Sequence, residues 1–167
     1  MHPIINGYVL IRSMSSYDSD LDFVIISRKE HKRSGMRFLV RGIDKNGNVA
    51  NFAETEQYVI HKKSKSNLDV KEFTVDFISY LQIRGSIPLF WTQQPNLQLN
   101  PSISFDQKDR ENYNSFDKHV QHITKDYGKV VFINLIDKKG DQNNIGEFLN
   151  VLHKEYKETN SIFNSRF

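Results

Sequence analysis

The period of the apolar positions changes along this chain, and the change divides it into a strand-rich first part and a helical last part. Residues 8–11 (YVLI) and 23–26 (FVII) are β-branched or aromatic runs separated by the polar stretch 13–20, and they predict two strands. Residues 38–40 (FLV) and 49–52 (VANF) flank DKNGN at 44–48. The pair Asn46-Gly47 tolerates positive φ, so this region predicts a β-hairpin. Residues 61–72 (HKKSKSNLDVKE) are polar and basic and predict a surface loop. Apolar residues return at Phe73, and the run ending in RGSIPLFW is predicted extended because Pro88 disfavours helix before it. Residues 92–112 hold two prolines, many Asn and Gln and little periodicity, which predicts a long loop of the kind that is functional or mobile.

Beyond this loop the period becomes helical. Tyr113, Phe116, Val120, Ile123 and Tyr127 share one face, with Gly128 placed to end the helix. Residues 129–136 predict a buried strand. Ile145, Phe148, Leu149, Leu152 and Tyr156 mark a second amphipathic helix, with Asn144 as its cap and Glu147 three residues on. Helix, strand and helix after several strands predict an α/β fold, a mixed β-sheet flanked by helices, whose sheet has more strands than this chain clearly supplies. No internal repeat or second domain is visible.

Composition narrows the class. A length of 167 residues fits one domain or a piece of a larger one. Twelve Phe, seven Tyr and one Trp supply the bulk of a core and argue against global disorder. The chain has no cysteine, which excludes a disulfide scaffold, a Cys-ligated zinc site and a thiolate nucleophile within it. The longest apolar run, 130–136, is far short of the roughly 20 residues a bilayer crossing needs. The first residues show no secretory signal. The expectation is a soluble, cytoplasmic chain.

Charge is uneven. Between residues 28 and 45, Arg28, Lys29, Lys32, Arg33, Arg37, Arg41 and Lys45 face only Glu30 and Asp44, a local net of +5 in a chain whose formal charge is +3. On a strand, Arg37 and Arg41 point to one face and Phe38 and Val40 to the other. Guanidinium groups in a row suit bidentate contacts to phosphate. The same residues also fit a solvated strand face with cross-strand partners such as Glu54 or Glu56, and charge alone leaves both readings open. Arg84, before Gly85 and Ser86, is a second candidate for meeting an anion. Phe90 and Trp91 read as core anchors rather than a base-stacking platform, so nucleic acid is not expected. His119 and His122 lie three apart without a carboxylate or third histidine to complete a metal set, and read as surface or helix-flank residues. No serine-nucleophile elbow, phosphate-cradling Gly-Lys-Ser/Thr loop or zinc-protease motif is present, so the residues supply no catalytic set.

The ordered blocks PIINGY, DFVIISRKEHKRSGMRFLVRGIDKNGNVANFAETEQYVI, LQIRGSIPLFWTQQPNLQLNPSI and FDKHVQHITKDYGKVVFINLIDKKG resemble the SAC-domain phosphoinositide phosphatases. They cover residues 3 to about 156, with 61–72 resembling an insertion. The similarity is greatest to the SAC phosphatases of the endoplasmic reticulum and Golgi and to the SAC domains of synaptojanins. It implies that residues 1–167 are a partial SAC domain, the first half of the catalytic subdomain.

The family removes phosphate from the inositol ring, most often from phosphatidylinositol 4-phosphate, without a metal or other cofactor. A cysteine in a loop reading Cys, five residues, Arg attacks phosphorus, and water then releases the phosphocysteine. The resemblance places that loop beyond the last matching block, so no catalytic residue is assigned here and the chain alone is expected to be inactive. It could be part of a longer phosphatase, one half of a split enzyme, or a non-catalytic module that binds phosphoinositides or protein. The resemblance makes Arg33, Arg37, Arg41 and Arg84 candidates for head-group or anionic-membrane binding. It implies as partners phosphoinositide head groups and the remainder of the SAC domain, at the cytosolic face of endoplasmic reticulum or Golgi membranes.

Overall fold

Four extended segments pair in chain order. In the computed structural model, which describes residues 6–17, 19–36, 39–67, 70–96, 101–105 and 109–159, these are β1 (Gly7–Ser15), β2 (Ser19–Lys29), β3 (Ala53–Asn67) and β4 (Val70–Arg84). They form an antiparallel sheet of order β1-β2-β3-β4. The chain divides into two compact units, one built from residues 1–31 and 52–84, the other from 32–51 and 85–167. The first unit is this sheet. The second contains β5 (Trp91–Gln93), β6 (Ile103–Phe105), α1 (Asp109–Tyr127) and α2 (Gly140–Thr159). Strands and helices together make the chain α/β in class, as the periodicity predicted, and every strand pairing among the described residues is antiparallel.

In the first unit the register opposes Arg28 to Glu54, and the Arg28 guanidinium pairs with both Glu54 and Glu56. Those carboxylates raise the Arg28 pKa, hydrogen bonding by Glu54 being the largest cause. The acidic residues that the sequence offered to Arg37 and Arg41 therefore serve Arg28. Tyr58 and Phe77 pack ring against ring at 5.3 Å on the same sheet face. The segment 61–72 is not a loop: β3 and β4 stay paired out to Asn67 opposite Val70. Ion pairs hold this part, Lys62 to Asp22 at 3.1 Å and Lys63 to Asp76 at 3.0 Å. A polar hairpin end has no hydrophobic alternation to betray it.

The second unit holds most of the core. Leu89, Trp91, Ile145 and Leu152 form one buried cluster, with Phe105, Ile136 and Phe148 packed against it. Phe116, Val120 and Tyr156 form another, joined by Phe132. The helical faces predicted for α1 and α2 are the faces that build these clusters, and Gly128, with φ 75° and its N–H bonded to the Thr124 carbonyl, ends α1. Four expectations need correction. Phe38 lies outside the described residues, and 39–52 do not form a two-stranded hairpin: Leu39 and Val40 lie in a turn, and the single bridge Ile43 to Val49 closes the tight turn at 44–48. The stretch 92–112 is interrupted by β6, which pairs with β5, and by the start of α1. Residues 129–136 form no strand, with Val131, Ile133 and Leu135 exposed rather than buried. Asn144 lies inside α2, which begins at Gly140.

Leu152 is fully buried on α2 whereas its neighbour Val151 is exposed. Leu152→Ala is expected to lower stability by about 2–5 kcal/mol, and Val151→Ala by less than about 0.5 kcal/mol. Urea unfolding of the two variants checks the contrast.

Candidate functional site

Arg33 and Arg41, eight residues apart, line one cavity of about 500 Å³ in the second unit with Ile43, Phe90, Trp91, Thr92, Ser104 and Phe105. That volume is in the range of small-molecule sites. The loop carrying the two arginines is held by Asn51, which adopts φ 54°. Its N–H donates to the Arg33 carbonyl at 3.0 Å, its side-chain carbonyl accepts from Gly35 N–H at 3.1 Å, and its side-chain NH₂ donates to the Val40 carbonyl at 3.3 Å. Asparagine is one of the few residues that take a left-handed backbone readily, and its amide closes the loop locally.

Gly42 then brings the chain against residues 89–91. Its φ is 70°, and a Cβ there would lie 2.5 Å from the Leu89 carbonyl oxygen. Three hydrogen bonds fix the crossing: Gly42 N–H to Ser86 Oγ at 2.9 Å, Ile43 N–H to the Leu89 carbonyl at 2.9 Å, and Ala50 N–H to the Gly42 carbonyl at 2.8 Å. The close approach at Gly42 demands a glycine.

The crossing aims Arg41 at β5. Its guanidinium carbon lies 5.2 Å from the centre of the Trp91 ring, and Nη2 donates to Gln93 Oε1 at 3.1 Å. Gln93 is itself fixed by donating to the Pro101 carbonyl at 2.7 Å, and Trp91 Nε1 donates to the Ile87 carbonyl at 3.1 Å. Arg33 donates from Nη2 to the Arg41 carbonyl at 2.9 Å, while its buried Nε has no hydrogen-bond partner among the described residues. A buried N–H without an acceptor is costly. Trp91 with its partner Phe105 adds an aromatic wall, and the next cross-strand pair, Thr92 and Ser104, also lines the cavity. Two guanidinium groups beside aromatic faces can hold an anion.

The turn beside the site is built on Asp44. Its carboxylate accepts from the N–H groups of Asn46 and Asn48 at 2.9 and 2.8 Å and from the Asn48 side chain. Burial pushes the Asp44 carboxyl up, but the side-chain and backbone hydrogen bonds from Asn48 and Asn46 and the charge of Arg33 outweigh it and hold it below the ordinary value. Gly47 sits on α1, where its carbonyl lies 3.1 Å from Nδ1 of His119. His119 is therefore a buried docking residue and not a surface one, while His122 is exposed. On the next turn of contact, Asn112 of α1 is wholly buried and accepts the Phe90 N–H at 2.8 Å.

Of the four arginines singled out from the sequence, Arg33 and Arg41 come together. They do so from a folded loop, not from one strand face. Arg37 lies outside the described residues, and Arg84 is the exposed last residue of β4 in the first unit. Trp91, Gln93, Thr92 and Ser104 were missed as site residues because no local spacing links them to residues 33–41. Only the run RGSIPLFW, with its glycine, proline and aromatics, marked that stretch as unusual. Among the described residues no group of three or more His, Asp or Glu stands together as a metal site, and no helix is long and apolar enough to cross a membrane.

Residues 1–166 match the family model described as the SacI homology domain. The chain belongs to the SacI homology domain family. It is 36% identical over 140 residues to the phosphatidylinositol-3-phosphatase SAC1-B of Danio rerio, covering 84% of this chain and 22% of that protein. To the phosphatidylinositide phosphatase SAC2 of Homo sapiens it is 39% identical over 123 residues, covering 74% of this chain and 10% of the relative. To synaptojanin-2 of Rattus norvegicus it is 32% identical over 156 residues, 93% of this chain and 9% of the relative. The chain thus spans about a fifth or less of the length of these relatives.

Because the Asp44 carboxyl is lowered in the folded state, its contribution to stability is complete above the unfolded value of about 4. It is lost as pH falls through the depressed folded value. Asp44→Asn is expected to lower stability at neutral pH and to flatten the acid side of the stability curve. Urea midpoints measured from about pH 6 down to about pH 3 check both effects.

Proposed function

We propose that this chain is part of an enzyme that hydrolyses a phosphate monoester on the inositol ring of membrane phosphatidylinositol phosphates, with phosphatidylinositol 4-phosphate as its substrate. The observation that carries the reading is the SacI homology match over residues 1–166, together with relatives whose own names describe phosphoinositide phosphatases. The chain has no cysteine, so the thiolate of the family's reaction comes from polypeptide outside these residues. The thiolate attacks phosphorus, the inositol oxygen leaves and takes a proton, and water then cleaves the phosphocysteine to inorganic phosphate.

The part assigned to this chain is recognition. Arg33 and Arg41 present fixed guanidinium groups at a cavity with an aromatic wall, a chemistry that accepts a phosphorylated head group. Arg37 adds attraction to an anionic leaflet at the cytosolic face of endoplasmic reticulum or Golgi membranes. The missing cysteine supports a second reading, a module that binds phosphoinositides or protein without catalysis.

Cations near an anionic surface contribute about 1 kcal/mol each. The double variant Arg33→Glu/Arg37→Glu is therefore expected to weaken binding to vesicles carrying phosphatidylinositol 4-phosphate by roughly thirty-fold or more, and by less at high salt. Co-sedimentation of the longer polypeptide, with its melting temperature as a control on folding, reads this. Unchanged binding by a folded variant removes the recognition role. Phosphate release that survives loss of the loop cysteine removes the proposed chemistry, and a longer polypeptide that binds but never releases phosphate leaves the binding module.

A further inference from the structure

The chain holds two Asn-Gly pairs, Asn6-Gly7 and Asn46-Gly47. In such a pair the glycine has no side chain to hinder the approach of its nitrogen to the side-chain carbonyl carbon of the asparagine. Asn6 and Gly7 are both exposed at the entry to β1, whereas in the second pair Asn46 is exposed and Gly47 is buried. The turn that carries the second pair is bonded on two sides. From within, Gly47 N–H donates to the Asp44 carbonyl at 3.0 Å and Asn46 N–H to Asp44 Oδ1 at 2.9 Å. From α1, Lys118 Nζ donates to the Lys45 carbonyl at 2.9 Å, and His119 Nδ1 lies 3.1 Å from the Gly47 carbonyl.

These contacts oppose a reaction for which the pair is chemically ready. A base removes the Gly47 amide proton, the nitrogen bonds to Asn46 Cγ, and the side-chain nitrogen leaves with a proton as ammonia. Water then opens the cyclic imide at either carbonyl, to give aspartate or isoaspartate. With its hydrogen on the Asp44 carbonyl, the Gly47 nitrogen keeps both its proton and its orientation in the turn. Reaching Cγ means rotating the peptide between 46 and 47 and giving up that bond. Gly47 also has no room to move toward α1: at its φ of 84° a Cβ would lie 2.8 Å from His119 N and from Lys118 Cβ. Cyclisation therefore requires the turn to lift off the helix, a local opening that leaves the rest of the fold in place.

We propose that Asn46-Gly47 is a guarded modification site: seated on α1 it is unreactive, and when the turn lifts off it converts to isoaspartate. Water and base are the only co-reactants, so no enzyme is needed. Isoaspartate routes the main chain through Cβ and Cγ and so lengthens it by a methylene. The amides of 46 and 48, which now meet Asp44 Oδ1 at 2.9 and 2.8 Å, then no longer reach the carboxylate together while Gly47 stays seated. A passing opening becomes permanent. The Ile43 to Val49 bridge and the bond from Ala50 N–H to the Gly42 carbonyl tie this turn to the crossing that places Arg41, so conversion loosens that crossing in one direction only. The inference does not depend on the phosphatase reading.

The test holds the longer polypeptide at neutral pH, folded and in urea, and follows isoaspartate at position 46 by peptide mass mapping with fragmentation that separates it from aspartate. Conversion in the folded protein is expected to be at least about ten-fold slower than in urea. His119→Ala removes the side-chain contact to the Gly47 carbonyl and is expected to raise the folded rate roughly five-fold. Lys118→Ala, at an exposed position, replaces it if that variant does not fold. Equal rates in the folded and unfolded unsubstituted protein overturn the guard, and no conversion in urea overturns the site. An unchanged rate in a folded variant overturns the role of α1. The converted protein is expected to unfold at lower urea than Asn46→Asp, whose main chain keeps its length, and equal midpoints overturn the permanence.

Discussion

The close passage of Gly42 against Leu89 and Trp91 is the constraint on which the second unit's site depends. A backbone with φ 70° that would place a Cβ 2.5 Å from a carbonyl oxygen accepts no other residue without moving one of the two segments. The movement would break the bonds from Gly42 to Ser86 and from Ile43 to Leu89. It would also carry Arg41 off Trp91. The arginine's position is thus set by backbone sterics and main-chain hydrogen bonds, and its own contacts with the indole and Gln93 only refine it. A cation over an indole contributes about 0.5–2 kcal/mol, enough to hold a rotamer and too little to fold a loop.

The same economy explains how a locally basic segment folds without repelling itself. Arg28 is neutralised on the sheet by Glu54 and Glu56, Arg33 faces the lowered carboxyl of Asp44, and Arg41 is spread over an aromatic face. Each cation meets a different kind of partner, and the partners come from different segments. What is left over is not a stripe of solvated charge. It is a cavity lined by Arg33 and Arg41 beside Trp91 and Phe105. Membership of the SacI homology domain family and the lack of a cysteine are properties of the chain as a whole.

Much of the fold was legible in the residues, for a physical reason. The faces of α1 and α2, the end of α1 at Gly128 and the strands through 8–11 and 23–26 follow from periodicity, because burying an amphipathic face dominates the placement of such segments. The tight turn at Asn46-Gly47 was legible because few residue pairs accept its backbone angles. The polar hairpin end at 61–72 was not. Its strands are held by pairing carried outward from Val59, Ile60, Phe77 and Ile78 and by ion pairs, neither of which leaves a local signal. The turn at Leu39 and Val40 was misread because apolar residues there suggest a strand, whereas Asn51, eleven residues beyond Val40, holds the Val40 carbonyl.

By itself the sequence determined the family, the α/β class, the helical faces, the basic segment and the lack of a thiolate, since each rests on residue identity or on spacing within a few turns. Only the tertiary structure decided which arginines meet. Arg33 and Arg41 face one cavity because Asn51 bends the loop and Gly42 lets it cross a segment more than forty residues away, while Arg84 ends a strand of the other unit. It also decided that residues 130–136, apolar enough to read as a buried strand, form no strand and leave Val131, Ile133 and Leu135 exposed. Local composition reports that a segment is suited to burial, and only the arrangement of the whole chain supplies what buries it.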